Sequence, residues 1–377
     1  MKKIAVIFGG RSCEREISVL TGVFALNALD RLKYEPVPVY VHADGELYSS
    51  PDMTNLEVFK LGTVEKFKRV IFDSGTLYTT DKKKKRLKPI GKIDGALNCC
   101  HGGWGEGGGV SALMEMNGIP LASPPISASG VFLDKALTKI FVKGLQIPTL
   151  DFTCVQESDY QKRGRFLLKN IQSRLGYPVV IKPAKLGSSI GITVARTEAE
   201  TAQGLSLAFR LDDKAIIEKY LEGKSDVNCA VYFRQGEIVV SEPEIACSED
   251  GVYSFEDKYL SNRRGNEKDG GQVRELDEET SQRIKAYTKT LYKKSGLFGV
   301  ARMDFLVRDK EVYLSEVNTV PGSLAYYLFC ERLTESRAFF SDLLEEAFVR
   351  AKKREKELPE TGILSTVKLG GKRKIRL

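Results

Sequence analysis

The sequence predicts an α/β protein that begins with a parallel sheet. Strand-like and helix-like segments alternate from residue 3 onwards, which is typical of parallel sheets with helical crossovers. Glycine-rich loops follow several apolar runs, and such loops carry functional groups when they leave the carboxyl ends of parallel strands. The length of 377 residues exceeds one ordinary core and predicts two or three packed units.

The first unit shows this alternation most clearly. We predict strands at residues 3–8, 35–41 and 95–100 and an amphipathic helix at 14–29. The intervening residues 45–92 are rich in turn residues and charge, so we predict an inserted hairpin region there. Prolines cluster at residues 120–125, which places the first boundary near Ser123.

The later units mix helices with short strands, and a second boundary is predicted near Glu218. Between the two boundaries we predict helices at 127–145 and 165–175 and strands at 151–155, 178–181 and 215–219. Beyond the second boundary we predict strands at 228–233 and 237–243, helices at 278–295 and 336–354, and a β-hairpin at 299–318. Residues 247–271 form a long polar stretch and are predicted to be a loop.

Composition and charge exclude several classes of protein. With 42% hydrophobic and 29% charged residues, the chain has the balance of a soluble globular protein. No apolar run approaches the roughly 18 residues of a membrane helix, and the run at residues 4–8 is too short for a signal peptide, so we expect a cytoplasmic protein without a membrane partner. The seven cysteines are scattered and predict thiols in place of disulfides or a zinc site.

The net charge of +8 comes partly from basic clusters at residues 82–88 and 372–376. Neither cluster interleaves aromatic residues in the way that a nucleic-acid stacking surface does. We therefore interpret them as a solvated loop and a basic tail, and we expect no nucleic-acid partner.

The predicted hairpin carries the clearest chemical signal. Side chains alternate faces along a strand, so Arg302 shares a face with Asp304, and Glu316 shares a face with Asn318. A three-residue connection at 309–311 would place Asp304 directly opposite Glu316, with Cβ atoms about 4.5–5.5 Å apart. Two carboxylates and an amide oxygen at that range suit a Mg²⁺ ion shared with nucleotide phosphates. An exposed hairpin with ordinary charges is the alternative, but it leaves Glu316 and Asn318 unexplained.

Three glycine-rich segments add further candidates. Lys182 ends a predicted buried strand and precedes a Gly-Ser-Ser-x-Gly loop at 187–191, which offers a cation and backbone N–H groups to phosphate oxygens. Five of the seven residues after His101 are glycine, so the backbone there bends sharply or approaches another group closely. Glu14 follows a double glycine that lacks the G-x-G-x-x-G dinucleotide pattern, which argues against a dehydrogenase. The alternatives are a plain turn after Lys182, a hydrogen-bonded turn at His101 and a helix-dipole role for Glu14.

Taken in order, these motifs resemble the D-alanine–D-alanine ligase family over residues 3–350. The matching stretches lie at residues 9–18, 101–106, 134–135, 182–191, 218–223, 256–261, 301–304 and 316–322. The resemblance implies a Rossmann-like parallel-sheet domain followed by a two-domain ATP-grasp fold of α+β type. The implied division is an N-terminal substrate domain at 1–122, a central subdomain at 123–218, a catalytic domain at 219–356 and a basic tail at 357–377.

The resemblance also implies how nucleotide and metal are bound. Lys135 and Lys182 would contact ATP phosphates, covered by the loop that contains Gly187, Ser188 and Ser189. The other implied nucleotide residues are Glu218, the backbones of Lys219 and Leu221 at the adenine, Asp226 at the ribose and Lys258. Mg²⁺, with Mn²⁺ as an alternative, would be held by Asp304, Glu316 and Asn318.

The implied reaction is the ATP-dependent joining of two D-alanines through an acyl phosphate, for peptidoglycan precursor synthesis. Glu14 would take the ammonium of the first amino acid, with Ser188 and Tyr259 bonded to it, and His101 would lie near the reacting carboxylate. Arg302 and the backbone N–H of Gly322 would stabilise the oxyanion. Residues 247–271 would form the lid that excludes water.

Two departures from the family pattern leave alternatives open. Three glycines follow Glu106 where the family has Asp-Gly-Thr, and residues 323–327 read Ser-Leu-Ala-Tyr-Tyr where the family has small hydroxyl residues for the second substrate. The second substrate could therefore be D-serine, D-lactate or another amino acid. A nucleotide-binding regulator without turnover is the alternative of a different class, against which the two lysines and Arg302 argue. The oligomeric state stays open, with a homodimer as one alternative.

Overall fold

A computed structural model describes residues 1–62, 64–81, 86–246, 276–353, 359 and 361–362, and three β-sheets organise this part of the chain. The first sheet has eight strands in the order β6-β5-β4-β3-β2-β1-β7-β8. Its strands are β1 (Lys2–Gly9), β2 (Tyr34–Val41), β3 (Leu47–Ser49), β4 (Lys68–Asp73), β5 (Thr76–Asp81), β6 (Arg86–Lys92), β7 (Gly95–Asn98) and β8 (Leu121–Ala122). Its helices are α1 (Arg15–Ala28), the short α2 (Glu57–Lys60) and α3 (Val110–Met116).

The parallel core of the first sheet matches the predicted alternation. Strand β1 pairs in parallel with β2 and β7, and β7 pairs in parallel with β8. Residues Ile4 to Phe8 are fully buried, as expected for a parallel strand covered on both faces. The predicted hairpin region at 45–92 supplies the antiparallel strands β3 to β6, which extend the same sheet.

Close packing of α1 on β1 brings the start of the helix to the carboxyl end of the strand. A Cβ atom at Gly22 would lie 2.2 Å from Cγ of Phe8, so only glycine lets the helix approach this closely. The loop that contains Glu14 consequently sits at the edge where β1 and β7 end, beside His101.

The second sheet is antiparallel, with the order β11-β10-β12-β9. Its strands are β9 (Phe152–Gln156), β10 (Val179–Pro183), β11 (Thr193–Ala195) and β12 (Lys214–Lys219). The helices of this region are α4 (Ile126–Leu133), α5 (Lys135–Gly144), α6 (Glu157–Leu175) and α7 (Glu198–Phe209).

One helix prediction in this region was wrong, and a second matches part of a longer element. The single helix predicted at 127–145 is two helices, because Asp134 leaves the helical conformation at ψ 109° and its carboxylate accepts hydrogen bonds from the N–H groups of Ala136 and Leu137. An aspartate that caps a new helix in this way ends the previous one. The helix predicted at 165–175 is the second part of α6, which begins at Glu157 and is interrupted by the non-helical residue Arg163 at φ −142°.

The third sheet has five strands, with the order β14-β13-β16-β17 and β15 beside β13. Its strands are β13 (Ser225–Arg234), β14 (Glu237–Val240), β15 (Glu244–Ala246), β16 (Ala301–Arg308) and β17 (Glu311–Asn318). The long helices are α8 (Glu278–Ser295), which has the predicted bounds, and α9 (Ser336–Lys353).

The hairpin of β16 and β17 confirms the predicted opposition of Asp304 and Glu316, but by a different route. Its connection has two residues, Asp309 and Lys310, which both adopt left-handed conformations because Arg308 pairs with Glu311. A bulge between Asp304 and Phe305 then shifts the register by one residue and restores the opposition.

Apolar contacts connect the helices of the second region to the third sheet. Residues Ala128, Phe132 and Val142 of α4 and α5 pack in the same apolar cluster as β13, β16 and β17. The division into domains at 122, 218 and 356 stays a prediction. Within the described ranges, no helix combines the length and the apolar character needed to cross a membrane.

Candidate active site

A narrow polar cleft lies where the three sheets meet. It is lined by Glu14, His101, Glu106, Ser188, Arg302, Glu316, Asn318, Val320, Pro321 and Gly322. Seven of these ten residues were predicted as site residues from the sequence, and they come from loops after β1, β7 and β10 and from β16 and β17 with the segment that follows.

Glu14 meets the glycine-rich loop inside this cleft. The hydroxyl of Ser188 donates a hydrogen bond to Oε1 of Glu14. A Cβ atom at Gly102 would lie 2.6 Å from Oε2 of Glu14, and one at Gly187 would lie 2.8 Å from the same oxygen. The glycines therefore let two backbone segments close around one carboxylate, as the glycine-rich sequences predicted.

His101 is buried and makes two hydrogen bonds. Its Nδ1 lies 2.6 Å from the carbonyl oxygen of Val320, and its Nε2 lies 2.7 Å from the hydroxyl oxygen of Thr21. Burial lowers the pKa of His101 to about 4, and the nearby charge of Arg302 adds to this shift although the contact with Val320 opposes it. The imidazole is consequently neutral at pH 7.

Glu106 joins the glycine-rich segment to the segment after β17. Its Oε1 accepts hydrogen bonds from the N–H groups of Thr319 (2.9 Å) and Val320 (3.2 Å), and its Oε2 accepts one from the N–H of Gly102 (2.8 Å). Burial and the charge of Glu14 raise the pKa of Glu106 to about 7, although these hydrogen bonds oppose the shift. Glu106 lies in one of the stretches that resemble the family, but the sequence analysis gave it no role.

The carboxylates of the hairpin face cations. Asp304 accepts two hydrogen bonds from Arg302, at 2.7 Å from Nε and 2.9 Å from Nη2, and one from Nδ2 of Asn318 at 3.0 Å. Oε2 of Glu316 lies 3.2 Å from Nζ of Lys135. Negative charge on β16 and β17 is thus offset by Arg302 of β16 itself and by Lys135 at the start of α5.

This set of side chains fits a hard divalent cation. Asp304, Glu316 and Asn318 offer carboxylate and amide oxygens, which are the ligands that Mg²⁺ and Mn²⁺ take. The ammonium of Lys135 already lies against Glu316, so the position suits a positive charge. Among the described residues no group of three His, Cys, Asp or Glu side chains could hold a metal ion, so any ion here needs oxygens from elsewhere, as nucleotide phosphates supply.

A buried ion cluster lies at the end of β10, the strand that leads into the glycine-rich loop. Glu218 is 2% exposed, with Oε2 at 2.6 Å from Nζ of Lys182 and Oε1 at 2.8 Å from Nζ of Lys139. Burial alone would raise the pKa of Glu218, but the two lysine charges outweigh it and lower the pKa to about 2. The Lys139 contact is an ion pair without hydrogen-bond geometry to Oε1. Lys139 was missed by the sequence analysis, although it lies four residues after Lys135 and so on the same face of α5.

The other predicted nucleotide residues contact neighbouring parts of the chain or lie in turns. Nζ of Lys135 donates to the carbonyl of Leu186 at 2.5 Å, and the carboxylate of Asp226 pairs with Lys224. The N–H of Lys219 donates to the carbonyl of Asp151, so this N–H is not available to a base edge. Ser189 follows Ser188 with a second left-handed conformation, and Leu221 lies after β12.

Some predicted residues fall outside the described part of the chain. These are Lys258 and Tyr259, together with the predicted lid at 247–271 and the basic tail apart from residues 359 and 361–362. Their roles stay predictions.

The segment after Gly322 is unusual. Ser323, Leu324 and Ala325 have φ values of 51°, 52° and 52°, a left-handed conformation that costs residues with a Cβ about 1–2 kcal/mol each. The ring of Tyr326 packs on that of Phe24, whereas Tyr327 is 40% exposed with its hydroxyl 3.4 Å from Nη1 of Arg302. The two tyrosines therefore have different surroundings.

Comparison with known proteins gives consistent results. The family models described as D-ala D-ala ligase N-terminus and D-ala D-ala ligase C-terminus match residues 3–124 and 141–348. A D-alanine–D-alanine ligase of Thermosipho melanesiensis is 31% identical over 335 residues, which cover 87% of this chain and 89% of that protein. One of Chlorobium phaeovibrioides is 30% identical over 353 residues, covering 91% and 94%.

Solved structures agree in fold. The D-alanine–D-alanine ligase of Helicobacter pylori superposes with a TM-score of 0.74 at 26% identity, covering 95% of this chain and all of that chain. The enzyme of Coxiella burnetii gives a TM-score of 0.76 at 21% identity, covering 94% and 97%. The predicted α/β class, with a parallel-sheet unit followed by an ATP-grasp fold, is thereby confirmed. On the family matches and the identity with relatives over most of its length, this chain belongs to the D-alanine–D-alanine ligase family.

Proposed function

We propose that this protein joins two D-alanine molecules to D-alanyl-D-alanine with hydrolysis of ATP to ADP and phosphate, as a step of peptidoglycan synthesis. One observation carries the proposal. The cleft brings the Glu14 carboxylate, the Arg302 guanidinium with the Gly322 backbone, and the oxygens of Glu316 and Asn318 to one place. These groups suit an ammonium, an oxyanion and a metal-bound phosphate, respectively.

The first amino acid is held by its charged ends. Glu14 binds the ammonium, and Ser188 fixes the rotamer of Glu14 through its hydrogen bond. The carboxylate of the same D-alanine then points towards the phosphate-binding residues Lys135 and Lys182. ATP supplies the γ-phosphoryl group, and a carboxylate oxygen attacks its phosphorus while ADP leaves.

Mg²⁺, where bound, neutralises phosphate charge, and Asp304, Glu316 and Asn318 are the residues that would hold it. The lysines take the rest of that charge. Glu218 keeps Lys182 protonated, because the carboxylate raises the pKa of this lysine against the effect of burial.

The second step uses the opposite wall of the cleft. The neutral amine of the second D-alanine attacks the acyl carbon, phosphate leaves with one oxygen of the original carboxylate, and the nitrogen releases one proton to the departing phosphate or to solvent. The tetrahedral oxyanion accepts hydrogen bonds from Arg302 and from the N–H of Gly322. Asp304 holds Arg302 in place through two hydrogen bonds, so it contributes to orientation as well as to the metal position.

The test is steady-state ADP release with a panel of acceptors. We expect activity with ATP, Mg²⁺ and D-alanine alone, and a dipeptide product identified by mass spectrometry. Mixed incubations of D-alanine with D-serine or D-lactate measure the preference for the second substrate. ADP release that requires D-lactate or D-serine would replace the proposed product by the corresponding mixed one, and no ADP release with any acceptor would contradict ligase activity.

A further inference from the structure

The segment that carries the proposed oxyanion donor is held at both ends by one pair of buried side chains. Gly322 lies within residues 320–323. The carbonyl of Val320, at the start of this segment, contacts Nδ1 of His101, and the N–H of Ser323, at its end, contacts the hydroxyl oxygen of Thr21 at 3.0 Å. Thr21 and His101 contact each other at 2.7 Å.

The chemistry of the partners fixes the direction of all three hydrogen bonds. The Val320 carbonyl can only accept, so Nδ1 of His101 carries a proton and donates it. A neutral imidazole then has a lone pair on Nε2, which accepts the hydroxyl proton of Thr21. The oxygen of Thr21 in turn accepts the N–H of Ser323. Only one tautomer of His101 satisfies all three contacts.

We propose that Thr21 is a positioning residue for the ligation step, and that with the Nδ1-protonated tautomer of His101 it clamps residues 320–323 so that the N–H of Gly322 points into the cleft. The proposal rests on the proposed function, because Gly322 matters only if an oxyanion forms there.

The surroundings of Thr21 favour such a role over ordinary packing. Thr21 is fully buried on α1, in the first unit of the chain, whereas Ser323 belongs to the third. Ser323 is also the first of three consecutive residues in a left-handed conformation, which persists only where contacts on several sides hold it. The Thr21 hydroxyl supplies one such contact, and Leu324 supplies another by donating its N–H to the Pro321 carbonyl at 2.8 Å.

The kinetic test compares three variants. Thr21→Val replaces the hydroxyl by a methyl group of similar size, Thr21→Ser keeps the hydroxyl, and Thr201→Val makes the same change at another fully buried threonine, on α7, whose hydroxyl donates to the Thr197 carbonyl. We expect Thr21→Val to lower kcat by about ten- to a hundredfold, since small misplacements of a catalytic donor have effects of this size. KM for ATP should stay within about twofold, Thr21→Ser should restore most of kcat, and Thr201→Val should leave kcat unchanged.

A spectroscopic test does not depend on turnover. The chain has two histidines, so His42→Asn leaves His101 as the single imidazole in a ¹⁵N spectrum. We expect a proton on Nδ1 and a hydrogen-bonded lone pair on Nε2 in the wild-type background, and a shift of the Nε2 resonance in Thr21→Val that Thr201→Val does not show.

Two results would overturn the proposal. One is a proton on Nε2 of neutral His101, which would reverse the direction of its hydrogen bonds. This result is obtained on the wild-type background and needs no folded Thr21 variant. The other is a kcat of Thr21→Val equal to that of Thr201→Val. A wild-type protein that makes no dipeptide would instead contradict the proposed function, and the tautomer would still be measured.

Discussion

The hydroxyl of Ser188 donates a hydrogen bond to the carboxylate of Glu14, across 174 positions of sequence. One residue belongs to the glycine-rich loop after β10 and the other to the loop after β1, so the contact joins the proposed phosphate-binding loop to the proposed ammonium site. The proposed function therefore predicts that binding of the first amino acid and ordering of the loop over the phosphates are coupled through one carboxylate.

Glu14→Gln tests this assignment. Loss of the charge removes the ion pair with the ammonium, and charge-assisted hydrogen bonds of this kind contribute about 1.5–3 kcal/mol, so KM for the first D-alanine should rise about ten- to a hundredfold. Glu16→Gln is the matched control, because Glu16 lies two residues away on α1 and is exposed. Steady-state kinetics over a range of D-alanine concentrations measure both. An equal change in KM for D-alanine in the two variants would contradict the assignment of Glu14 to the ammonium site.

Asp304→Asn tests the metal position. The change removes a carboxylate charge and one acceptor of Arg302 while keeping the size of the side chain. We expect kcat to fall by about a hundredfold or more, with a thermal unfolding midpoint close to that of the wild type. Asp309→Asn on the exposed turn of the same hairpin is the control. ADP release is measured as a function of Mg²⁺ concentration. Activity of Asp304→Asn within a few-fold of wild type would contradict the assignment of Asp304 to the metal site.

Burial of neutral His101 makes the stability of the protein depend on pH. The pKa is lowered from 6.5 to about 4 on folding, so the unfolded chain binds a proton that the folded protein does not as pH falls below 6.5. The contribution of His101 to the free energy of unfolding is present in full above pH 6.5 and is lost as pH falls towards 4. The total change is about 3 kcal/mol.

Glu106 acts in the opposite sense over nearly the same range. Its pKa is raised from 4.5 to about 7, so its effect on stability grows less favourable as pH rises from 4.5 to 7. The two contributions partly cancel in the wild type. In His101→Gln the free energy of unfolding should therefore increase as pH falls from 7 to 5, relative to the wild type. Denaturant unfolding at several pH values measures this, and parallel curves for the two proteins would contradict a neutral buried His101.

Tyr327→Phe addresses the second substrate. The hydroxyl of Tyr327 lies near Arg302 and the ring is partly exposed, whereas Tyr326 packs on Phe24. We expect Tyr327→Phe to raise KM for the second D-alanine more than KM for ATP, because a donor near the acceptor carboxylate is lost. Tyr326→Phe is the control and should leave both values unchanged. An unchanged KM for the second D-alanine in Tyr327→Phe would place carboxylate recognition elsewhere.

The sequence predicted those features that depend on local pattern. Alternating apolar runs indicated β1 and α1, and strand periodicity together with a three-residue connection placed Asp304 opposite Glu316. The connection and the bulge were not predictable, since a two-residue turn plus one bulged residue gives the same opposition as a three-residue turn. The break at Asp134 was missed because the helical pattern continues on both sides of it, although aspartate is a common first residue of a helix; the ion pair with Lys214 adds a tertiary contact to the local cap.

Contacts between distant segments were beyond reach of the sequence alone. Lys139 and Thr21 look like ordinary helix residues, and nothing in their neighbourhood predicts that one meets Glu218 and the other His101. The glycines at 102 and 187 indicated that the backbone approaches another group closely. They did not indicate that both glycines approach the carboxylate of Glu14. Positioning residues therefore emerged only from the packed structure.

Oxygen transfer from D-alanine to phosphate is the most direct measure of the proposed reaction. The protein is incubated with ATP, Mg²⁺ and D-alanine that carries ¹⁸O at both oxygens of its carboxyl group, and the inorganic phosphate and the dipeptide are analysed by mass spectrometry. Attack of the carboxylate on the γ-phosphorus predicts one ¹⁸O atom in each phosphate released and one phosphate for each D-alanyl-D-alanine formed. Unlabelled phosphate, or ADP release without dipeptide, would contradict ligation through an acyl phosphate.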